Sequence, residues 1–420
     1  MTQLARERSD VDAAGPVLTG TSVRTHVRDY FSRVKAGDTG SLPVVAGLII
    51  LATVFQIANQ NFLTPGNLVN LLVQGAVYML LALGMSFVLL IGEIDLSIGF
   101  VGGVGGVTVA VLVFGEGGSP WWIACICGLL ATAAIGFIQG MIIALVKLPS
   151  FVVTLGGLLA WNGVMLMILG NGGGIPINNE MINNIANGLL PRAAGWVLMA
   201  VLVLIYAADT LIRDRHRRAS GNATNPFSFT LFKLAAVAVA GVIVVAICDT
   251  DRGLLIPIQG VPWVLVIVLG FTVLWGIVLK RTAFGAHIYA VGGNPEAARR
   301  AGIRVDRIRI AVFTISGLMG GAAGIIYASR LRSVSANLDG GTLVLYCIAA
   351  AVIGGTSLFG GHGRALNAVL GGLVIAAIDN GMGLLGLSAA TRLVVTGIVL
   401  VVAVTVDAIA RRGRASSGVS

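Results

Sequence analysis

The chain has 420 residues, of which 56% are hydrophobic and 11% charged, with mean hydropathy +0.93 and a formal net charge of +10. That composition excludes a soluble domain of this size, and the 58 glycines suit transmembrane helices that approach closely. The positive balance does not point to nucleic acid, because the basic residues fall in loops and tails, where the positive-inside rule expects them.

Residues 1–42 alternate acidic, basic and polar side chains and hold no apolar core of the kind a cleaved signal peptide needs, so they read as a cytoplasmic tail. Apolar runs of ~20 residues then recur through 43–410, the expected permease domain, each long enough to cross the ~30 Å hydrocarbon core as a helix. Twelve segments are predicted, near 43–59, 68–91, 94–114, 121–146, 151–170, 195–212, 231–248, 262–280, 308–329, 343–361, 365–385 and 392–410. Backbone groups in lipid must pair internally, so the expected fold class is all-α, a polytopic transmembrane bundle of 10–12 helices. With the N-terminus inside, Arg213, Arg215, Arg217 and Arg218, the 281–307 loop and the 411–420 tail all fall inside. Arg330 and Arg332 are the exception.

Two connections are short. Segments two and three meet at Gly92-Glu93-Ile94-Asp95, and segments ten and eleven at Gly360-Gly361-His362-Gly363-Arg364. Glycine or charge inside an apolar stretch marks broken or re-entrant helices, so one or both pairs need not cross fully. Glu93 and Asp95 read as a gate, as a cap on a broken helix, or as a turn at the membrane surface; Gly99, Gly354 and Gly355 are the accompanying break points. The two junctions share Ile-Gly, Leu and Gly at a constant offset of 262, a hint of two structural repeats.

Polar residues inside the apolar runs are few. Asn70 and Gln74 share a helical face with Asn67, and Asn162, Asp379 and Asn380 are similar in kind. Amides match the hydroxyls of a neutral polyol, and they also glue helices together. Asp379 could bond a ligand hydroxyl or pair with Arg392. Asp407 beside Arg411 reads as a local i,i+4 pair. Gly102-Gly103-Val104-Gly105-Gly106 reads as a packing surface. Cys125, Cys127, Cys248 and Cys347 read as small packing residues, and the four histidines show no metal spacing. No phosphate loop, metalloprotease or hydrolase signature is present, so no catalytic or metal-ligating residue is assigned and no cofactor is expected on this chain.

One polar stretch carries strong helix grammar. Asn294 can cap, Pro295 suits the first helical position, Glu296 meets the positive end of the dipole, Arg299 and Arg300 meet the negative end, and Gly302 can end the turn. A membrane protein that builds such a helix on its inner surface offers it to a partner.

Glu296-Ala297-Ala298-x-x-x-Gly302 resembles the E-A-A-x-x-x-G loop of importer permeases of the ATP-binding-cassette class. Glu93-Ile94-Asp95-Leu96-Ser97-Ile98-Gly99, Pro149-Ser150-Phe151-Val152-Val153-Thr154-Leu155-Gly156, Arg281-Thr282-Ala283-Phe284-Gly285, Ile288-Tyr289-Ala290-Val291-Gly292-Gly293-Asn294 and Val352-Ile353-Gly354-Gly355-Thr356-Ser357-Leu358 resemble the ribose/xylose/galactose branch of these permeases. The polar loop near 213–230 and Asp379-Asn380-Gly381-Met382 are most similar to the D-xylose permeases. The resemblance implies a homodimeric permease in a bacterial plasma membrane, both termini cytoplasmic, surrounded by lipid. Its partners would be an ATPase subunit that holds ATP and Mg and an extracytoplasmic sugar-binding protein that delivers a monosaccharide. Asn294, Glu296, Ala297, Ala298, Arg299 and Gly302 would then form the ATPase-coupling helix. A permease for ribose, galactose or another small solute, and an ion-coupled secondary transporter, are the alternatives.

Overall fold

A computed structural model describes residues 42–115, 117–220, 227–253 and 257–416. Most of the expected 1–42 tail, residues 221–224 of the polar linker and the side chains of the Asp407–Arg411 pair lie outside the described residues. In chain order the helices are α1 (Leu42–Ala58), α2 (Pro65–Leu90), α3 (Ile98–Leu112), α4 (Trp121–Met141), α5 (Ser150–Leu169), α6 (Glu180–Asn187), α7 (Arg192–Ala219), α8 (Phe227–Asp249), α9 (Trp263–Arg281), α10 (Ala283–Gly293), α11 (Pro295–Arg300), α12 (Val305–Leu331), α13 (Gly340–Ile353), α14 (Ala365–Leu384) and α15 (Ala389–Ser416). A π-turn, Ile142–Val146, extends α4 and ends at Lys147 in the left-handed region. Two short strands, β1 (Gly174–Pro176) and β2 (Ser333–Ser335), pair antiparallel, with Ile175 opposite Val334.

The chain separates into two compact units, one comprising residues 1–38 and 193–246 and the other residues 39–192 and 247–420. The described part of the smaller unit is made of α7 and α8. Thr230 Oγ1 donates to Asp214 at 2.8 Å and Asp209 pairs with Arg213 one turn away. The larger unit holds every other element.

Among the described residues eight helices are long and apolar enough to cross a membrane, and α2, α12 and α14 are the most buried of them. Of the most apolar stretch of each, 83%, 67% and 72% of residues are buried, against 22% for α5 and 28% for α9. The remaining faces are apolar and outward, which suits lipid as the neighbour. The close seam runs between α3, α4 and α12. A Cβ on Gly105 would lie 3.1 Å from the Gly321 Cα, one on Gly324 would overlap the Gly102 carbonyl, and one on Gly317 would overlap the Thr132 carbonyl. Small residues at these positions let three backbones touch.

Segments three and ten depart from full-length crossings. α3 has 15 residues and α13 has 14, about 21–22 Å of helix, short of the ~30 Å core. Both are half-helices, and their N-termini meet: a Cβ on Gly99 would overlap the Gly340 carbonyl oxygen, and one on Gly340 would lie 2.7 Å from the Phe100 ring. The meeting point is deep. Asp95, just before α3, bonds Ser316, which lies eleven positions after Val305 at the start of α12, about 16 Å along it. Eight helices among the described residues have the length and apolarity of a full span, against the ten to twelve helices expected.

Two further expectations need correction. The 281–307 stretch holds, besides the expected helix α11, a second helix that was not expected, α10, capped by the Thr282 side chain on Gly285 N at 3.1 Å. The C-terminal helix does not stop at 410 but continues to Ser416.

Candidate functional site

The helix α11 forms as its residues dictate. Asn294 Oδ1 accepts from Glu296 N and Ala297 N, both at 3.0 Å. Glu296 pairs with Arg299 at 3.3 Å and Arg300 at 3.6 Å. Gly302 takes φ +85° and, with Ile303 N bonded to Ala298 O, closes a Schellman cap. Ala298 is 4% exposed and packs into the same core cluster as Val305 and Ile308. Asn294, Glu296, Ala297 and Arg299 face outward. One residue thus anchors the helix, and the others form a free surface. A cavity of about 590 Å³ opens beside it, lined by Leu145, Arg299, Ile303, Arg304, Asp306 and Arg307 among others, with a surplus of positive charge.

Both helix breaks lie against the segment that carries α11. The Gly292 backbone sits against Leu90 and Gly361; a Cβ there would overlap the Leu90 carbonyl and lie 2.6 Å from Gly361 N. Gly361 N itself donates to Leu90 O at 2.9 Å, which joins the two breaks directly. Tyr289 Oη donates to Gly363 O at 2.7 Å. On the other side of α11, α12 holds the first break with two carboxylates. Glu93 pairs with Arg309 at 3.0 Å, and Asp95 accepts from Ser316 Oγ at 2.7 Å.

Asp95 is 2% exposed and so is no surface turn. Its Oδ1 accepts from Ser97 N at 2.9 Å and from Ser97 Oγ at 2.7 Å, and Ser97 Oγ lies 3.1 Å from Gln139 Oε1. The carboxylate sits just ahead of α3, whose dipole favours a negative charge there, and bonds the N-cap residue Ser97 rather than the first turn of the helix. Gly92 and Gly355 take the left-handed conformations that end α2 and α13, at φ +76° and +86°. Gly354 stays right-handed and is pressed against the Asn367 carbonyl. The two left-handed glycines therefore correspond at an offset of 263, one residue from the offset read in sequence. The same cap closes α11 at Gly302 and α14 at Gly386, so this geometry is not a mark of duplication.

The intramembrane polar residues divide. Asn67 and Asn380 exchange amide hydrogen bonds at 2.8 and 3.0 Å. Gln74 and Tyr78 both donate to Asp379 Oδ2, the latter at 2.7 Å, while Arg392 stands 4.0 Å from Asp379 Oδ1. Of the roles read in sequence, the structure shows the pairing of Asp379 with Arg392, and it adds bonds from α2 to α14 that the sequence reading did not include. Asn70 is exposed and takes no part in this network. Asn162 lies on α5, away from it, and makes no hydrogen bond among the described residues. Sequence reasoning missed Tyr78, although it follows Gln74 by four positions on the same face. It also missed Ser316 and Arg309, which nothing local to α12 distinguishes.

A family profile described as branched-chain amino acid transport system / permease component matches residues 67–404. The chain is 36% identical over 388 residues to the xylose transport system permease protein XylH of Escherichia coli (strain K12), covering 91% of this chain and 95% of that one. It is 33% identical over 378 residues to the protein of the same description from Haemophilus influenzae, covering 87% and 96%. It is 34% identical over 361 residues to the ribose import permease protein RbsC of Bacillus subtilis (strain 168), covering 86% and 90%. No solved structure matches.

Proposed function

The chain belongs to the branched-chain amino acid transport system / permease component family, and we propose that it is the membrane-spanning permease of an ATP-driven importer carrying a monosaccharide, with D-xylose the leading solute. The relatives' descriptions as xylose permeases support that solute, and the ribose permease of similar identity makes ribose the second. Chemical work would reside on a partner ATPase with its ATP and Mg, and solute would arrive from a sugar-binding protein outside. In this reading the end bearing α11 faces the cytoplasm of a bacterial cell, both chain termini are cytoplasmic, and a second copy completes the permease.

The observation that carries the reading is the position of α11 between two ties to the broken helices. Before it, Gly292 wedges against Leu90 and Gly361; after it, α12 holds Glu93 and Asp95. An ATPase that gripped the exposed face of α11 could shift both breaks together. ATP and solute then need only bind the two conformations unequally to move the population between them. The arginine-rich cavity beside α11 favours an acidic surface on the docked partner.

The test is reconstitution of the chain with its ATPase and binding protein in proteoliposomes, measuring ATP-dependent uptake of labelled D-xylose and D-ribose. Uptake of xylose that needs all three components supports the proposal. Uptake by the permease alone, driven by an ion gradient, overturns it.

A further inference from the structure

A crevice descends into the larger unit from the end opposite α11. Two clefts share Gly103, Gly324, Tyr327 and Leu338 and are consecutive lengths of this one crevice. The outer length opens beside β2, where Ser333, Ser335 and Asn337 line it. The inner length ends among Leu81, Gly99 and Leu343, where the half-helices α3 and α13 begin. The outer length has about 30 Å³ of room for water-sized contents and the inner about 10 Å³. That is space for a water or two. The crevice is closed to anything larger in this conformation.

Tyr327 belongs to both lengths and is half-buried. Its hydroxyl makes no hydrogen bond among the described residues. Two other tyrosines of the unit differ: Tyr78 bonds Asp379 and Tyr289 bonds Gly363. Arg330, Asp379 and Asp339 all lie within electrostatic range of Tyr327. An aromatic ring with a free hydroxyl, beside an amide and serine hydroxyls at the mouth, suits a neutral polyhydroxyl compound: the ring covers the C–H face and the hydroxyl bonds a ring oxygen or hydroxyl.

We propose that this crevice is the route by which a neutral sugar reaches the middle of the bundle, and that Tyr327 is the solute-contact residue at its constriction. The inference rests on the transport reading above. The wall that must withdraw is the Ser333–Leu338 stretch, held at its start by a ladder of three residue pairs. A two-stranded ribbon this short is marginal by itself, so its withdrawal is opposed mainly by the packing of Val334 against its core cluster.

The test uses the complete transporter in cells. Tyr327→Phe keeps the ring and loses the hydroxyl, and it is expected to raise the KM for xylose about tenfold with little change in maximal rate. Tyr327→Cys provides an independent readout. A membrane-impermeant thiol reagent added outside should label it above the background of the unsubstituted chain, and saturating xylose should slow that labelling. A normal KM for Tyr327→Phe, or a Tyr327→Cys that is not labelled from outside or not protected by xylose, overturns the inference. The transport reading survives that result if the unsubstituted chain still imports xylose with its partners, and falls separately if it does not.

Discussion

The backbone of Gly292 rests directly against the carbonyl of Leu90, so that a single added Cβ would overlap the Leu90 oxygen. Gly292 lies two residues before the cap of α11, and Leu90 is the last residue of α2 before its break. The contact leaves no room for any side chain at 292. The next residue, Gly293, has nothing within 4 Å of its would-be Cβ.

This pair gives the first prediction. Gly292→Ala should destabilise the protein by about 1–3 kcal/mol or more, the usual cost of overpacking, and should lower uptake. Gly293→Ala should leave both near the parent value. Thermal unfolding in detergent and uptake of labelled xylose check the contrast, and equal effects at the two positions would contradict the geometry.

Glu93 and Arg309 form an ion pair with side chains only 14% and 24% exposed. Removing one partner strands a shielded charge, so Arg309→Met should cost about 1–3 kcal/mol. Replacing both partners with Glu93→Gln and Arg309→Met should recover part of that loss. A double-mutant cycle read by unfolding measures the coupling; additive losses would show that the pair does not act as a unit.

The Asn67–Asn380 exchange ties α2 to α14. Interhelical hydrogen bonds in membranes contribute about 0.6–2 kcal/mol. Asn67→Ala and Asn380→Ala should each cost about that amount, and the double variant should cost little more than either single one. Asn70→Ala, on an exposed side chain, should be neutral. Unfolding measurements on all four variants check the assignment.

Glu296→Arg removes two exposed ion pairs, which are worth little to stability. The unfolding temperature should stay near the parent value while ATPase activity ceases to follow binding-protein addition. A variant that remains fully coupled would remove Glu296 from the contact with the engine.

Asp251 lies in the connection between α8 and α9, where its Oδ1 accepts from Gly253 N and Ile258 N, both at 3.0 Å. These bonds hold the carboxyl below its ordinary value of 3.8. A lowered folded-state value stabilises the bonded connection above the ordinary carboxylate range, and that contribution is lost as pH falls through the lowered value. Protection of the Gly253 and Ile258 amides, taken as exchange relative to the intrinsic rate at each pH, should therefore fall at strongly acid pH, and Asp251→Asn should remove that fall.

Sequence reasoning reached the local features and stopped at the tertiary ones. The α11 caps were legible because Asn294, Pro295 and Gly302 act on neighbouring backbone groups. The breaks at Gly92 and near Gly355 were legible because glycine and charge interrupt an apolar run. What the breaks do was not legible, since the depth of Asp95 depends on Ser316, 221 residues away. Helical periodicity grouped Asn67, Asn70 and Gln74, but only the first and third meet α14. A face about 100° wide is broader than the stripe a single partner helix covers. Asn162 looked like its polar neighbours in composition and differs from them only in the helix it faces. Tyr327 carried no signal at all, because the feature that distinguishes it is a partner its hydroxyl lacks.

The glycine seam has a mechanical consequence. Where Gly102, Gly105, Gly317, Gly321 and Gly324 bring main chain against main chain, no side chain can rotate to absorb a displacement. The joined α3–α4–α12 block is stiff, and α12 spans about 40 Å as one beam. A small push delivered at one end of such a beam arrives at the other undiminished, whereas a bundle cushioned by leucines would spend it in compliance along the way.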